Sequence, residues 1–308
     1  MRNRVFDCHC DTAYELWKGQ LEIAESNLQI DLNRTQNLES YAQFFAFWTY
    51  PGMEDPQGVF SGMLRTMKDQ LSRHGDMVAQ AKTPKQAAEI VSNGKVAAIF
   101  SLEGPAGIGF DASRLDDLYQ EGFRMTTLTW NEENPLAGSH KTGGGLTEKG
   151  REFAKRAQKL GMILDVSHLS ERAFWNLCDL AQKPIIASHS NSRKIYGHSR
   201  NLTDEQFQAI CQLKGVAGLN LYTGFLGDAP VSLDKACDHV LHFLELGGEK
   251  HIALGGDLDG CESLPEDFTG PESYPKLAKA LLRRGVDEEI IEDIFWNNMI
   301  RVFEECCT

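Results

Sequence analysis

The chain has 308 residues, 42% of them hydrophobic and including five Trp and sixteen Phe, which is enough apolar volume for one large core. Forty-four acidic side chains against 31 basic ones leave a net charge of −13, which argues against a nucleic-acid backbone or an anionic membrane surface as a general partner and for a small ligand. No run approaches the ~18 apolar residues of a membrane helix, and eight cysteines without framework spacing suit free thiols in a reducing compartment, so a cytoplasmic protein is expected.

Neither "MRNRVFDCHC" nor "RVFEECCT" carries the apolar segment of an export signal or a lipid anchor, and the vicinal Cys306 and Cys307 are expected in an exposed tail. Between these ends, eight β-rich runs recur: 4–11, 42–50, 95–104, 124–130, 162–168, 184–190, 215–222 and 251–257. Several are continuously apolar, as buried parallel strands are when helices cover their outer face. Helical segments separate them. Ser170 is placed to cap a helix with Ala173, Phe174, Leu177 and Leu180 on one face, Thr203 and Gln206 form a capping box, and Ser232 opens a helix that stops at Gly247 and Gly248.

Eight alternating units without a Pro/Ser/Gly-rich linker predict an α/β fold, a single-domain (β/α)8 TIM barrel spanning residues 1–308. An open doubly wound sheet would place a phosphate-binding glycine fingerprint after the first strand, and "HCDTAYELW" has none; "GIGF" and "GGG" read as turns. The surplus length falls in two loops, "PGMEDPQGVFSGM" and "NEENPLAGSHKTGGGL".

In such a barrel the chemistry collects at the C-terminal strand ends. Those ends present His9 and Asp11, Glu103, Trp130, His168, His189, Asn220 with Tyr222, and Asp257. Strict alternation in "FDCHCDT" puts Asp7, His9 and Asp11 on the inward face and turns Cys8 and Cys10 to the helices. His-x-Asp alone is a weak signal for a metal. With His168, His189 and a bridging Glu103 it becomes a donor set suited to two Zn²⁺ ions with open positions for water, machinery for hydrolysis. Asp7 is expected one layer deeper as support, Asp165 out of phase with His168, and Asp259 as a second acid that could point into the mouth. His239 and His242 imitate a ligand pair on an outer helix, His251 sits at the far end of the barrel, and His74 and His198 are read as solvent-facing. Ser101 and Ser188 lack partners for nucleophilic catalysis.

These segments resemble the membrane dipeptidase (renal dipeptidase) family of binuclear zinc peptidases. "DCHCDT", "SLEGP", "DVSHLS", "ASHSNSR", "GGDLDG" and "WNNMIRVFEE" are similar to its motifs over essentially the whole chain. The resemblance implies that His9 and Asp11 bind one zinc, His168 and His189 the other, and that Glu103 bridges them. It further implies that Arg200 grips the substrate carboxylate and that Asp257 shuttles the proton; Tyr222, from its place at the seventh strand end, is a secondary candidate for substrate contact.

One departure stands out: where the family has a histidine contacting the substrate carbonyl, this chain has Trp130, which cannot carry positive charge or exchange a proton at neutral pH, so that either the zinc ions carry that load, or another group such as His140 or Asn131 enters from the following loop, or activity is poor. The reading is a zinc dipeptidase whose hydroxide, shared by the metals, attacks the amide of a dipeptide, including those with a D-configured C-terminal residue. The rivals are a hydrolase of another carboxylate-bearing amide or ester, and a metal-bearing binding protein that has lost turnover through Trp130. A homodimer is left open.

Overall fold

Apolar runs that the patterning marks as buried strands form a parallel sheet that closes on itself. The computed structural model describes residues 3–307. Among these residues the strands are β1 (Arg4–Cys10), β2 (Ser40–Trp48), β3 (Val78–Gln80), β4 (Val96–Glu103), β5 (Phe123–Thr127), β6 (Ile163–Asp165), β7 (Ile185–Ala187), β8 (Val216–Leu219) and β9 (Ile252–Leu254). Their order is β2-β1-β9-β8-β7-β6-β5-β4, and a β2–β4 pairing running from Ala42 opposite Ala97 to Trp48 opposite Glu103 closes the barrel. The expected eight barrel strands are thus present with helices between them.

β3 is additional. It pairs with the first half of β4, Val78 opposite Val96 to Gln80 opposite Ala98, while β5 takes over from Phe100 onward. Three residues give too little pattern to be seen in sequence. The first surplus loop is also partly ordered: a helix begins inside it at Pro56 and runs to Arg73, its first turn capped by Asp55 accepting from the Gly58 amide. Ser170 and the Thr203–Gln206 box cap their helices as expected, whereas Ser232 precedes its helix without a side-chain cap.

Two apolar layers hold the barrel. Phe6, Phe44, Ile99, Met125, Ile163, Ile186, Val216 and Ala253 fill its interior, and the other strand face packs against the ring of helices. A helical segment, Asp293–Asn297 continuing as Asn298–Cys306, closes the end opposite the strand C-termini: Trp296 lies 5.7 Å from Phe6, and Phe303 lies 5.9 Å from Phe44, centroid to centroid. Cys306 and Cys307 belong to this plug and are buried, which corrects their expected exposure. An amphipathic helix laid across an open barrel end covers apolar rings that would otherwise meet water. No helix among the described residues is long and apolar enough to cross a membrane.

Candidate metal centre

The first strand delivers its donors through an irregularity. Its register to β2 shifts between Asp7 and Cys10. Before the shift Phe6 and Cys8 face the barrel interior, and Asp7 turns outward, accepting from the Tyr274 hydroxyl and from the amides of Gly256 and His9, both at 3.0 Å. After it Cys10 faces the helices and His9 points into the mouth. Strict alternation therefore misplaces Asp7 and Cys8. A bulge adds a residue and re-aims those that follow. The supporting role expected of Asp7 fits its three donors.

Glu103, at the end of β4 and 1% exposed, spans the centre. Its Oε2 lies 3.4 Å from His9 Nε2, while its Oε1 lies 2.9 Å from His168 Nε2 and 3.8 Å from His189 Nε2. His9 Nε2 is 3.7 Å from Asp11 Oδ1 and 3.9 Å from Asp257 Oδ1, and the two remaining imidazoles bring their Nε2 atoms within 2.9 Å. His9, Glu103 and His189 form one group able to hold a metal ion, and His9, Asp11 and Asp257 form another, with ligand atoms within 4.8 Å of one another. His168 joins through Glu103. His168 and Asp257 adopt left-handed backbone conformations, φ 68° and 57°, which cost a non-glycine residue on the order of 1–3 kcal/mol and collect at functional sites.

The donor chemistry fits divalent cations. His9 Nδ1 and Nε2, Asp11 Oδ1 and Glu103 Oε2 are buried without a hydrogen-bond partner, at a cost of ~1–3 kcal/mol each if nothing else satisfies them. Burial raises the carboxyls of Glu103 and Asp257. Burial also opposes charge on His9, but Glu103, Asp11 and Asp257 outweigh it and lift the imidazole to about 10. His168 and His189 are pushed well down, first by burial and then by positive neighbours. Acids thus call for positive charge beside His9, while His168 and His189 are kept neutral, with lone pairs to give. Imidazole and carboxylate together suit Zn²⁺.

Outer residues orient the donors. Asp165, expected out of phase, points inward and accepts from the amides of Ser167 and Ser188, both at 2.9 Å, from Ser188 Oγ at 2.5 Å and from Thr127 Oγ1 at 3.0 Å. Asn220 donates to Asp257 Oδ2 at 2.9 Å. Asp259 also lines the mouth but is tied to its rim, accepting from Thr12 Oγ1 at 2.7 Å and from the Gln29 amide at 2.6 Å.

A cavity of about 320 Å³ opens above, lined among others by Asp11, Glu103, His168, His189, Asp257, Arg200, Tyr222, Trp130 and Asn131. Arg200 is buried with its Nε unpartnered, over the ring of Phe225 at 5.5 Å. Trp130 lies beyond the end of β5, stacks on Trp48 at 4.9 Å and meets the tilted ring of Tyr50 at 5.1 Å. Trp48 was missed because no residue was taken from the second strand end. Its position at the close of an apolar run is the signal that could have found it. All the sequence-named site residues therefore meet at one mouth. His140 stands behind the cavity wall, with its Nε2 3.0 Å from Asn131 Oδ1.

Elsewhere the histidines are structural. His239 Nδ1 accepts from the Ser192 amide and its Nε2 donates to Leu226 O; His242 pairs instead with Asp204, a carboxylate not expected there. His251 bonds Gly215 O, His74 pairs with Glu22, and His198, only partly exposed, packs 4.6 Å from Phe225. Ser101 is bonded to Phe45 O.

A profile of the family described as "Membrane dipeptidase (Peptidase family M19)" matches residues 1–308. An uncharacterised dipeptidase of Schizosaccharomyces pombe is 28% identical, covering 98% of this chain and 80% of its own. A crystal structure of the metallopeptidase "dipeptidase AC" superposes with a TM-score of 0.92 at 25% identity, covering 100% of this chain and 99% of that one. A Rhodobacter sphaeroides metallopeptidase, solved with a phosphinate mimic of the dipeptide L-Ala-D-Ala, shares the fold with a TM-score of 0.91 at 24% identity, over 99% and 100%.

Proposed function

This chain belongs to the membrane dipeptidase family, peptidase family M19, a family of metallo-dipeptidases, and from that premise we propose a binuclear zinc dipeptidase whose site is the mouth of its barrel. The observation that carries the reading is the divided carboxylate of Glu103, one oxygen toward His9 and the other toward His168 and His189. In this reading His9 and Asp11 would hold one zinc and His168 and His189 the other, with Glu103 as the ligand common to both. Bound there, the ions supply Lewis acidity toward the amide carbonyl and acidify a water.

The remaining steps fall to the protein. Arg200, always charged and planar, takes the C-terminal carboxylate of the dipeptide and sets the register of the amide over the metals. Asp257, oriented by Asn220 and raised by burial, takes the proton of the attacking water and passes it to the leaving amine. Trp48, Trp130 and Tyr222 wall the substrate. A D-configured C-terminal residue is included in the reading because a protein of the same fold was solved with an L-Ala-D-Ala mimic. Eight free cysteines support placement in a reducing compartment, the cytoplasm.

The experiment is a panel of L,L and L,D dipeptides offered to protein reconstituted with zinc, read by release of free amino acids. Dipeptide binding without cleavage would favour a metal-bearing binding protein. Cleavage confined to N-acyl amino acids or esters would move the substrate class.

A further inference from the structure

The loop after β5 contains a closed hydrogen-bond chain whose end faces the cavity. Asn131 Oδ1 lies 3.0 Å from His168 Nδ1 and 3.0 Å from His140 Nε2. His140 Nδ1 in turn lies 2.8 Å from Ser199 Oγ. The directions follow from donor counting. His168 Nε2 faces Glu103 Oε1 and needs its lone pair there for a cation, so its hydrogen resides on Nδ1. The Asn131 atom it meets must then accept, which fixes that atom as the amide oxygen. The same oxygen accepts from His140 Nε2–H, and His140 Nδ1 accepts from the Ser199 hydroxyl.

Two imidazole donors on one oxygen leave the amide a single orientation, and both hydrogens of Asn131 Nδ2 are left without an acceptor among the described residues. The loop is itself pinned: Ser139 Oγ donates to Asn131 O at 2.8 Å, and the His140 amide donates to His168 O at 2.8 Å. Asn131 lines the cavity together with Trp130 and His168.

We propose that Asn131 is a catalytic residue whose Nδ2–H donates to the scissile carbonyl oxygen as it gains negative charge, with His140 as the positioning residue that holds the amide in place. The inference rests on the dipeptidase reading and deepens it. As water adds to the carbonyl carbon, the π electrons of the C=O bond move onto oxygen. A donor that is already oriented stabilises that charge without reorganising, and removing one such donor typically costs ~10² to 10³ in turnover.

The test uses zinc-loaded Asn131→Asp and Asn131→Ala beside the unaltered chain. Asp keeps an acceptor for both imidazoles and removes the two N–H donors; Ala removes the donors without adding charge. Expected for both is a fall in kcat of ~10² to 10³ with KM changed less than about threefold. Elemental analysis should find the zinc content unchanged in Asn131→Asp, which keeps the acceptor behind His168, and restored by excess zinc in Asn131→Ala, which loses it. Calorimetry with a phosphinate dipeptide analogue should show affinity falling by the same factor as kcat. Wild-type kcat and phosphinate affinity in both variants would overturn the proposal. So would loss of zinc in both, which would make Asn131 only a support for His168. If the unaltered chain cleaves no dipeptide, the dipeptidase reading fails separately, and the phosphinate affinities still decide the role of Asn131.

Discussion

Ser188 Oγ lies 2.7 Å from His189 Nδ1, and because that hydroxyl gives its hydrogen to Asp165 Oδ2 at 2.5 Å, the imidazole is the donor of the pair. His189 is thereby held with its hydrogen on Nδ1 and its lone pair on Nε2, toward Glu103. Ser188→Ala should lower zinc affinity ~10- to 100-fold while leaving the fold intact, since partners behind a ligand orient it and fix its tautomer. Competition with a chromogenic chelator measures this. Asp165→Asn, which disturbs four donors at once, should also reduce stability.

Arg200→Ala should raise KM about 10- to 100-fold for dipeptides with a free C-terminal carboxylate, the equivalent of one strong charge-assisted contact. Steady-state kinetics on free and C-terminally amidated dipeptides gives the check. The amidated substrates should lose their disadvantage in the variant, and an unaltered KM for the free acids would remove Arg200 from this role.

Trp130 stacks on Trp48 with 22° between the ring planes, so it shapes the cavity wall. Trp130→His should raise kcat less than about tenfold in the unaltered chain, where Asn131 already supplies a donor, and considerably more in Asn131→Ala. The coupling between the two positions is read from a double-mutant cycle in kcat. A hundredfold gain in the unaltered background would instead identify the indole as the limit on turnover.

Removing metal should expose the cost of the orphaned donors. Free zinc a thousandfold above its Kd stabilises a folded chain by about 4 kcal/mol per site, so dialysis against a strong chelator should lower Tm by several degrees, and zinc should restore it. Glu103→Gln should abolish most of this response, since one residue reaches toward both groups of donors.

Acid should destabilise the protein through its histidines. His140 is pushed down to about 3, chiefly by burial and then by Arg200. The unfolded chain takes up a proton near pH 6.5 that the folded one refuses until about 3. The stability from this group is therefore complete above pH 6.5 and is lost as pH falls toward 3. Urea midpoints between pH 7 and 4.5 should drop less steeply in His140→Asn than in the unaltered chain.

The barrel was legible because its strands announce themselves as apolar runs, and the candidate site because barrel strands end in a common mouth. What escaped has local causes. β3 is too short to show a pattern. Cys8 keeps the inward phase of Phe6 and the register shift after Asp7 re-aims His9 and Cys10, yet nothing in "FDCHCDT" marks where an extra residue enters the ladder. Asp165 was placed by counting three residues back from His168, yet β6 ends at Asp165 and the chain turns before the histidine, so strand phase does not carry across. Trp130 could be named as a departure, but its partner Trp48 lies 82 residues earlier in sequence, and only the β2–β4 closure brings that strand end to the mouth.

The barrel is uneven around its circumference. β1, β2 and β4 are 7, 9 and 8 residues long, whereas β6, β7 and β9 are 3 each. His9 and Glu103 ride on the long, heavily laddered arc, and His168, His189 and Asp257 follow strands with few rungs. A cation pair at this junction would act as a suture between a stiff half and a supple one. Amide exchange after β6, β7 and β9 should then slow on zinc loading far more than in β2 or β4, making the centre a fastener of the scaffold as well as a reagent.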